Sequence, residues 1–223
     1  MTKVSTLTLR SGHGVVDNVG PSGKTPRQVT IGLAESLAAH GVFHQGARCN
    51  IILEGEASFG SGSRLFLGDV VLRVTVPCEP CSHGAQLAGV RMPRFREIER
   101  YLAIVVCGGD LGTGIAASTQ LGVYPEAPGD FRTRCAWALD YIPTGKVVGA
   151  QDFLVAIGAG PAYARTLPRW MASAKAMGKP VHRVLAAGFT APSWCTEALV
   201  LLAQEDVGNP CAACFDLTQE LWF

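Results

Sequence analysis

The chain has 223 residues, of which 48% are hydrophobic and 17% charged, a balance that is typical of a packed globular protein and excludes a disordered chain. The formal net charge is +1, so composition alone indicates no nucleic-acid or anionic-membrane partner. The longest apolar runs, such as Ala103–Cys107, have the length of strands and are far too short to span a membrane.

The N-terminal segment Met1–Arg10 alternates and lacks the apolar core and cleavage site of a signal peptide. We therefore expect a cytoplasmic protein with no membrane partner. In that compartment the eight cysteines are expected to be reduced. Cys107 and Cys135 lie in apolar contexts, and we predict that both belong to the core.

The first part of the chain has the pattern of β-strands. Apolar residues alternate or form short runs between Gly-Ser clusters, and the predicted strands are Ser5–Arg10, Asn50–Leu53, Arg64–Phe66 and Asp69–Val76. One helix is predicted at Ile31–His40, closed by Gly41. Many short strands with Gly-rich turns predict a β-barrel-like first domain, which we place at residues 1–121.

Helical spacing begins after Gly122–Gly129, which has the composition of a linker. The four predicted helices are Phe131–Tyr141, Gln151–Ile157, Tyr163–Met177 and Ser193–Gln204, with Ser193 as the N-cap of the last one. The second domain is therefore expected at 128–223 and to be mainly helical. The predicted fold class of the whole chain is α+β.

A basic stretch lies within this second domain. No Asp or Glu occurs between Asp152 and Glu197, and five cations occupy that interval: Arg165, Arg169, Lys175, Lys179 and Arg183. A local stripe of this kind can be a nucleic-acid footprint. Charge alone, however, favours a solvated helix face.

Four segments of the second domain resemble, in order, the DNA-binding domain of the O6-alkylguanine-DNA alkyltransferases, which is winged-helix-like. The segments are FRTRCAWALDYIPTGKVV at Phe131–Val148, IGAGPAYAR at Ile157–Arg165, PVHRVL at Pro180–Leu185 and LLAQE at Leu201–Glu205. The resemblance implies DNA as the partner, with another nucleic acid or a nucleobase-like small molecule as alternatives.

This resemblance also implies residue roles. Arg165 falls on the arginine that fills the space left by a flipped base, a task suited to a planar cation. His182 falls on the histidine that activates the acceptor cysteine, and Glu205 on the carboxylate that orients it. Arg183 is the arginine of the PCHRV box and is expected to pair structurally. Tyr163 and Arg169 are further candidates for contacts with DNA.

Two departures from the family pattern bear on chemistry. Val181 stands where the family has its alkyl-accepting cysteine, and valine has no nucleophile, so alkyl transfer at this site is excluded. The family's tyrosine that helps to rotate the target nucleotide is Ala150 here, which puts base flipping in doubt. The first change resembles the alkyltransferase-like proteins, which bind alkylated guanine without removing the alkyl group. Val181 is then part of a recognition site.

The first domain resembles the MOSC domain, named for the C-terminal part of molybdenum-cofactor sulfurase. The matching segments are PRQVT at Pro26–Thr30, RCNI at Arg48–Ile51, LGD at Leu67–Asp69, VTVPCEPCS at Val74–Ser82 and YLAIVVCGGDLGTG at Tyr101–Gly114. One departure is Cys49, which replaces the glutamate of the family's REN motif.

The MOSC resemblance places the functional thiol at Cys81, where relatives carry sulfur or contact the molybdenum cofactor. Such chemistry requires an open thiolate near cations. Cys78 could resolve a Cys81 persulfide or sulfenate as a disulfide, and His83 could act as a base. The implied cofactor is therefore the molybdenum cofactor or a Cys-bound persulfide.

Four residues are candidates to hold that cofactor: Lys24, Arg27, Arg48 and Asn50. The three cations could supply the electrostatic field and grip a phosphate. We expect no metal ligands and no zinc, although Cys78/Cys81 and Cys211/Cys214 are both Cys-x-x-Cys pairs. The two pairs are more than a hundred residues apart, whereas the halves of a zinc ribbon lie much closer in sequence.

Three functions follow from these resemblances. In the first, the helical domain finds a modified base and Cys81 performs sulfur or redox chemistry, as a MOSC enzyme directed to nucleic acid. In the second, the chain is a non-catalytic alkyltransferase-like DNA damage sensor. In the third, it is a MOSC enzyme acting on a small molecule, with the helical domain as scaffold.

Overall fold

The computed structural model describes residues 6–16, 25–42, 46, 48–55 and 58–223. The chain divides into two compact units, residues 1–127 and 128–223. The first is built mainly from strands and the second mainly from helices, so the α+β class predicted from sequence is confirmed. Within the described residues, no helix is both long and apolar enough to cross a membrane.

The first unit contains two sheets. Their strands are β1 (Thr6–Arg10), β2 (Gly14–Val15), β3 (Val29–Leu33), β4 (Ile51–Leu53), β5 (Arg64–Leu67), β6 (Val70–Pro77), β7 (Arg100–Cys107), β8 (Gly109–Gly112) and β9 (Ala117–Gln120). The larger sheet has the order β4-β3-β7-β6-β5-β9, and the smaller has the order β2-β1-β8. Among the described strands of this unit, β3 and β4 run parallel, and the other pairs are antiparallel. The larger sheet curls into a half-barrel.

Alternation along the strands places one row of side chains in a core between the sheets. Leu65, Leu72, Val74 and Ala103 are among its fully buried residues. Burying such side chains stabilises the unit by about 1.5–3 kcal/mol for each large one. Burial alternates along β5, whereas β6 and β7 are buried on both faces over most of their length.

A layer of short helices forms a second, smaller core in this unit. The helices are α1 (Ala34–Ala39), α2 (Ser82–Ala88) and α3 (Met92–Arg96). Leu37, Cys49, Ala85, Phe95 and Ile98 are buried together in this core. It lies beside the segment that joins β6 to α2, which carries the predicted functional cysteines.

One prediction in this unit was wrong in part. The segment Ile31–His40 is not one helix, because Val29–Leu33 forms β3 and the helix begins at Ala34. A buried strand and a buried helix segment share the same apolar run, and here pairing with β4 and β7 favours the strand. Gly41 does end the helical segment, with a φ of 68°, which a glycine adopts without strain.

The second unit packs five α-helices and a two-stranded parallel sheet. These elements are α4 (Phe131–Leu139), β10 (Val148–Gly149), α5 (Ala150–Ala156), α6 (Leu167–Ala176), β11 (Val184–Leu185), α7 (Ala198–Gln204) and α8 (Leu217–Trp222). The mainly helical character agrees with prediction, and the winged-helix-like assignment stays a prediction.

Two helix boundaries in this unit differ from expectation. The segment Tyr163–Met177 is a 3₁₀ helix, Pro161–Arg165, followed by α6. The last predicted helix begins at Ala198 with Glu197 as its N-cap residue, so Ser193 is not the N-cap. Ser193 lies instead in a turn in which the Cys195 amide donates to the Pro192 carbonyl.

Candidate functional site

The predicted functional thiol lies where the long central strand of the first unit ends. β6 finishes at Pro77, and the next four residues, Cys78–Cys81, lead into α2. Cys81 is the exposed N-cap residue of α2, and its Sγ accepts a hydrogen bond from the Gly84 amide at 3.2 Å. The Cys81 thiol is thus open to solvent and held in one orientation.

Gly84 is where this segment is packed most tightly. A Cβ at Gly84 would lie 2.8 Å from two ring atoms of Phe95 and 3.3 Å from Cys81 Sγ. A glycine is therefore required for the turn of α2 to approach the buried Phe95 ring. The second core thereby fixes the backbone amide that contacts the Cys81 thiol.

Cys78 is half-buried beside Cys81, and its amide donates to the Arg100 carbonyl at 2.8 Å. Burial raises the pKa of the Cys78 thiol, while the positive charges of Arg100 and Arg27 act in the opposite direction. The charges of Glu79 and Cys81 also influence this pKa. Burial has the larger effect, so the Cys78 thiol ionises less readily than a free cysteine does.

A third thiol, Cys49, lies deeper. Its Sγ occupies the space over Gly32, where a Cβ would approach within 2.7 Å. Burial raises the pKa of Cys49 to about 12, against the lowering effect of Arg100 and with a further rise from Cys78. Cys49 is therefore protonated at neutral pH and packs as a small apolar residue.

Arg100 is the cation whose positive charge acts on the thiols of both Cys49 and Cys78. It is 6% exposed, its guanidinium lies 4.2 Å from the centroid of the Phe95 ring, and its Nε has no hydrogen-bond partner within the described residues. Register pairs it with Gly32 across β3 and β7. Sequence reasoning missed Arg100, since nothing in the pattern shows that a charged residue at a strand start is buried.

The four predicted cofactor residues do not all face an open site. Arg27 forms an ion pair with Glu79 at 3.4 Å. The Asn50 side chain accepts from the Thr30 amide at 2.8 Å and so ties β4 to β3. Arg48 is exposed with a φ of 53°. Lys24 lies outside the described residues.

His83 is exposed on the first turn of α2. Within the described part of the chain it makes no hydrogen bond or ion pair that would orient its ring. Its proposed role as a base therefore rests on its place two residues after Cys81.

In the second unit, one carboxylate organises the predicted recognition residues. Glu205 accepts hydrogen bonds from His182 Nε2 at 2.9 Å, from Arg183 Nη2 at 2.7 Å and from the Gly145 amide at 3.0 Å. Arg183 also donates to the Ile142 carbonyl at 2.7 Å. The PVHRVL segment, the IPTG turn and the end of α7 are thereby joined in one network.

The electrostatics of this network keep Glu205 ionised. Burial raises the pKa of Glu205, but the hydrogen bonds from Arg183, Gly145 and His182 outweigh it, and the pKa falls to about 2. The carboxylate can thus orient the imidazole at neutral pH. It does so beside Val181, which is 2% exposed and opens a 3₁₀ helix that also contains His182.

Tyr163 packs inside an aromatic cluster. Its ring centroid is 4.6 Å from that of Phe131 and 5.7 Å from that of Trp170. Arg165, at the end of the 3₁₀ helix, and Arg169, on α6, are both exposed. Within the described residues, neither arginine has a hydrogen-bond or ion-pair partner.

The other cysteines fall into two groups. Cys135 and Cys195 are buried. Cys107 is exposed, so its predicted place in the core was wrong; β7 leaves the core at its last two residues, and Val106 is exposed as well. Cys211 and Cys214 are also exposed. Across the described ranges, no group of three or more His, Cys, Asp or Glu side chains is arranged to hold a metal ion.

No protein-family model matches the chain, and no curated protein matches it. Among solved structures, it is similar to the YuaD protein of Bacillus subtilis, with 16% identity over 53% of this chain and 86% of that one, at a TM-score of 0.45. YiiM of Escherichia coli has 16% identity, coverage of 74% and 84%, and a TM-score of 0.40. YiiM of Geobacillus stearothermophilus has 19% identity, coverage of 45% and 59%, and a TM-score of 0.37.

Proposed function

We propose that the first unit is a MOSC-like sulfur-carrier module in which Cys81 holds a sulfane sulfur atom. The observation that carries the proposal is the pairing of an exposed, oriented thiol at Cys81 with a half-buried thiol at Cys78. Burial raises the pKa of Cys78, and the positive charges of Arg100 and Arg27 partly oppose this rise. Resemblance of the surrounding segments to MOSC domains supports the same assignment.

The chemistry needs two steps. In loading, the Cys81 thiolate attacks the terminal sulfur of a small persulfide donor, an S–S bond to Cys81 forms, and the donor leaves as a thiolate. In discharge, the Cys78 thiolate attacks Cys81 Sγ, a Cys78–Cys81 disulfide forms, and hydrosulfide leaves. A thiol reductant then returns both cysteines to the reduced state. Because burial raises the pKa of Cys78, discharge is expected to accelerate as pH rises.

Sulfide release from glutathione persulfide tests these steps. The wild type is expected to release sulfide, Cys81→Ser is expected to release none above background, and Cys78→Ser is expected to load sulfur but retain it. Cys107→Ser, which removes another exposed thiol, serves as the matched control and is expected to match the wild type. Full release by Cys81→Ser would refute the proposal.

We propose a Cys-bound persulfide, rather than the molybdenum cofactor, as the group that the first unit carries. A phosphate-bearing pterin requires several open cations. Of the predicted set, Arg27 shares its charge with Glu79, and Asn50 is used by the backbone of β3. We therefore propose the persulfide, and no step is assigned to molybdenum.

A second function is favoured by the network around Glu205. We propose that the second unit binds DNA without alkyl transfer, because Val181 supplies no nucleophile while His182, Arg183 and Glu205 remain joined beside it. Arg165 is exposed and available to enter a base stack. The whole chain is then a modified-base-directed sulfur-carrier protein. A non-catalytic damage sensor, or a small-molecule MOSC enzyme with a helical scaffold, would use only one of its units.

Binding to fluorescein-labelled duplexes, with and without one O6-methylguanine, tests this second function. We expect salt-dependent binding that Arg165→Ala weakens by about fivefold or more. Lys179→Ala removes the same charge from a residue already paired with Asp140 and is the matched control. Absence of salt-dependent binding by the wild type would leave only the small-molecule alternative.

A further inference from the structure

Arg132 is a cation that the basic stretch of the sequence does not include. It is the second residue of α4 and is exposed. Its Nε donates to Ser173 Oγ on α6 at 2.6 Å. Within the part of the chain that is described, its two terminal nitrogens have no partner. The bond to Ser173 therefore holds the guanidinium in place and leaves its other donors available.

The bond to Ser173 places Arg132 beside two other arginines. Ser173 lies four residues after Arg169, which lies four residues after Arg165. Thr166, between the 3₁₀ helix and α6, has a φ of −92° and a ψ of −22°, so the backbone stays helical through the junction. Residues four apart lie on one helix face. Arg165, Arg169 and Arg132 therefore form one row, which we call the arginine row.

The remaining cations of the basic stretch are already paired. Lys175 contacts Glu197 at 2.6 Å, and Lys179 contacts Asp140 at 2.6 Å. Arg183 is bound by Glu205. A carboxylate at such a distance repels an approaching phosphate and must be displaced before the cation can bind it.

The acid that lies nearest to the arginine row in sequence is already used by the backbone. Asp130 is the N-cap of α4, and its Oδ1 accepts from the Thr133 amide at 2.9 Å. That hydrogen-bonding lowers the pKa of Asp130. Asp130 therefore stays ionised at the start of α4, and no carboxylate within the described residues forms an ion pair with the arginine row.

We infer that the arginine row, rather than the basic stretch as a whole, contacts duplex DNA, with Arg132 and Arg169 at the phosphate backbone and Arg165 beside them at the base stack. This inference rests on the proposed DNA binding of the second unit and specifies its footprint. Arginine is suited to this task because its planar fork matches phosphate oxygens. Arg132 then adds one phosphate contact, and Lys175 and Lys179 add none.

The slope of log Kd against log salt concentration tests the inference, because each phosphate contact contributes about 0.9 to it. Full-length wild type, Arg132→Gln and Lys175→Gln are compared on one fluorescein-labelled duplex. Arg132→Gln is expected to lower the slope by about 1 and to weaken binding by about fivefold. Lys175→Gln removes an equal charge and is expected to leave the slope unchanged.

A further variant separates positioning from charge. Ser173→Ala retains Arg132 but removes the oxygen that orients it, and it is expected to weaken binding by less than Arg132→Gln does. The urea midpoint from tryptophan fluorescence shows that each variant is folded, since Arg132, Ser173 and Lys175 are not in the core.

The outcomes distinguish the inference from the function on which it rests. If the wild type binds with a salt-dependent slope but Arg132→Gln leaves that slope intact, the arginine row is wrong and DNA binding stands. The same holds if Lys175→Gln lowers the slope as much as Arg132→Gln does. If the wild type shows no salt-dependent binding, the proposed DNA function itself fails.

Discussion

At the scale of single residues, each unit has, at its candidate site, a charged side chain with little exposure to solvent. Arg100 influences the thiols of Cys49 and Cys78. Glu205 accepts hydrogen bonds from Arg183, Gly145 and His182. Burial makes each interaction stronger than it would be in water, because the surrounding dielectric is lower. It also makes the loss of one partner costly, because the other is left without compensation.

The pKa of Glu205 makes the stability of the second unit dependent on pH. Because the folded-state pKa, about 2, lies below the unfolded value of about 4.3, its contribution is complete above the unfolded value. It declines as pH falls towards 2, by about 3 kcal/mol. Urea unfolding from pH 6 to about 2 is expected to show this loss in the wild type. Glu205→Gln is expected to be less stable at neutral pH, and its free energy of unfolding is expected to change less as the pH falls.

Two observations sharpen this test. All four tryptophans, Trp137, Trp170, Trp194 and Trp222, lie in the second unit, so tryptophan fluorescence reports on that unit alone. Glu220→Gln neutralises an exposed carboxylate on α8 and is expected to retain the pH dependence of the wild type. Equal acid sensitivity in Glu205→Gln and wild type would contradict the assigned role of Glu205.

Gly84 gives a residue-scale prediction for the first unit. Gly84→Ala places a methyl group 2.8 Å from the buried Phe95 ring, and overpacking of this kind costs about 1–3 kcal/mol. The gain in helix propensity, up to about 1 kcal/mol, does not offset it. Thermal unfolding followed by circular dichroism is expected to show a lower Tm.

Gly112→Ala is the control for this substitution, because a Cβ there has no neighbour within 4 Å. It is expected to keep a Tm close to that of the wild type. A Gly84→Ala protein as stable as Gly112→Ala would mean that α2 and Phe95 are not packed as described.

At the scale of elements, sequence patterns were most successful where one physical signal dominated. Alternation located β5 and β6 within a residue or two, although burial alternates only along β5 and β6 is buried over most of its length. The sequence pattern failed at Val29–Leu33, where a helix was predicted from Ile31 onward but a strand forms. The strands that pair with this segment are distant from it in sequence. The pattern also gave no sign that Arg100 and Arg134 are buried, since burial of a charged residue depends on tertiary partners.

Arg134 shows how such a residue holds elements together. It is fully buried on α4, and its guanidinium donates to the carbonyls of Pro128 at 2.8 Å, Gly129 at 2.6 Å and Ile157 at 2.8 Å. It therefore fastens the entry of the second unit to the end of α5. The loop that follows Ile157 leads directly to the 3₁₀ helix of Arg165.

Arg134→Met is expected to destabilise the second unit by about 3 kcal/mol, because three carbonyls, of which that of Ile157 is buried, lose their donors. Urea unfolding followed by tryptophan fluorescence measures the effect. Arg132→Met on the same helix changes an exposed residue and is expected to cost less than about 1 kcal/mol. Equal effects of the two substitutions would contradict a structural role for Arg134.

At the scale of the whole molecule, the two units have different chemical character. The first presents an oriented thiol with a second thiol nearby, and the second presents a buried valine and a histidine–carboxylate–arginine network. Resemblance predicted site residues in each unit, and the structure adds what they contact. Only in the folded chain are Lys175, Lys179 and Arg183 seen to be paired, while Arg132 lies beside the exposed Arg165 and Arg169.

Peptide mapping by mass spectrometry after treatment with a persulfide donor tests directly whether Cys81 is the sulfur-carrying thiol. Three other exposed cysteines, Cys107, Cys211 and Cys214, act as controls within the same molecule. In a Cys78→Ser background, which blocks discharge, we predict that one added sulfur atom accumulates on the Cys81 peptide and not on the other three. Equal loading of all four cysteine peptides, or loading that omits the Cys81 peptide, would contradict the assignment of Cys81 as the sulfur carrier.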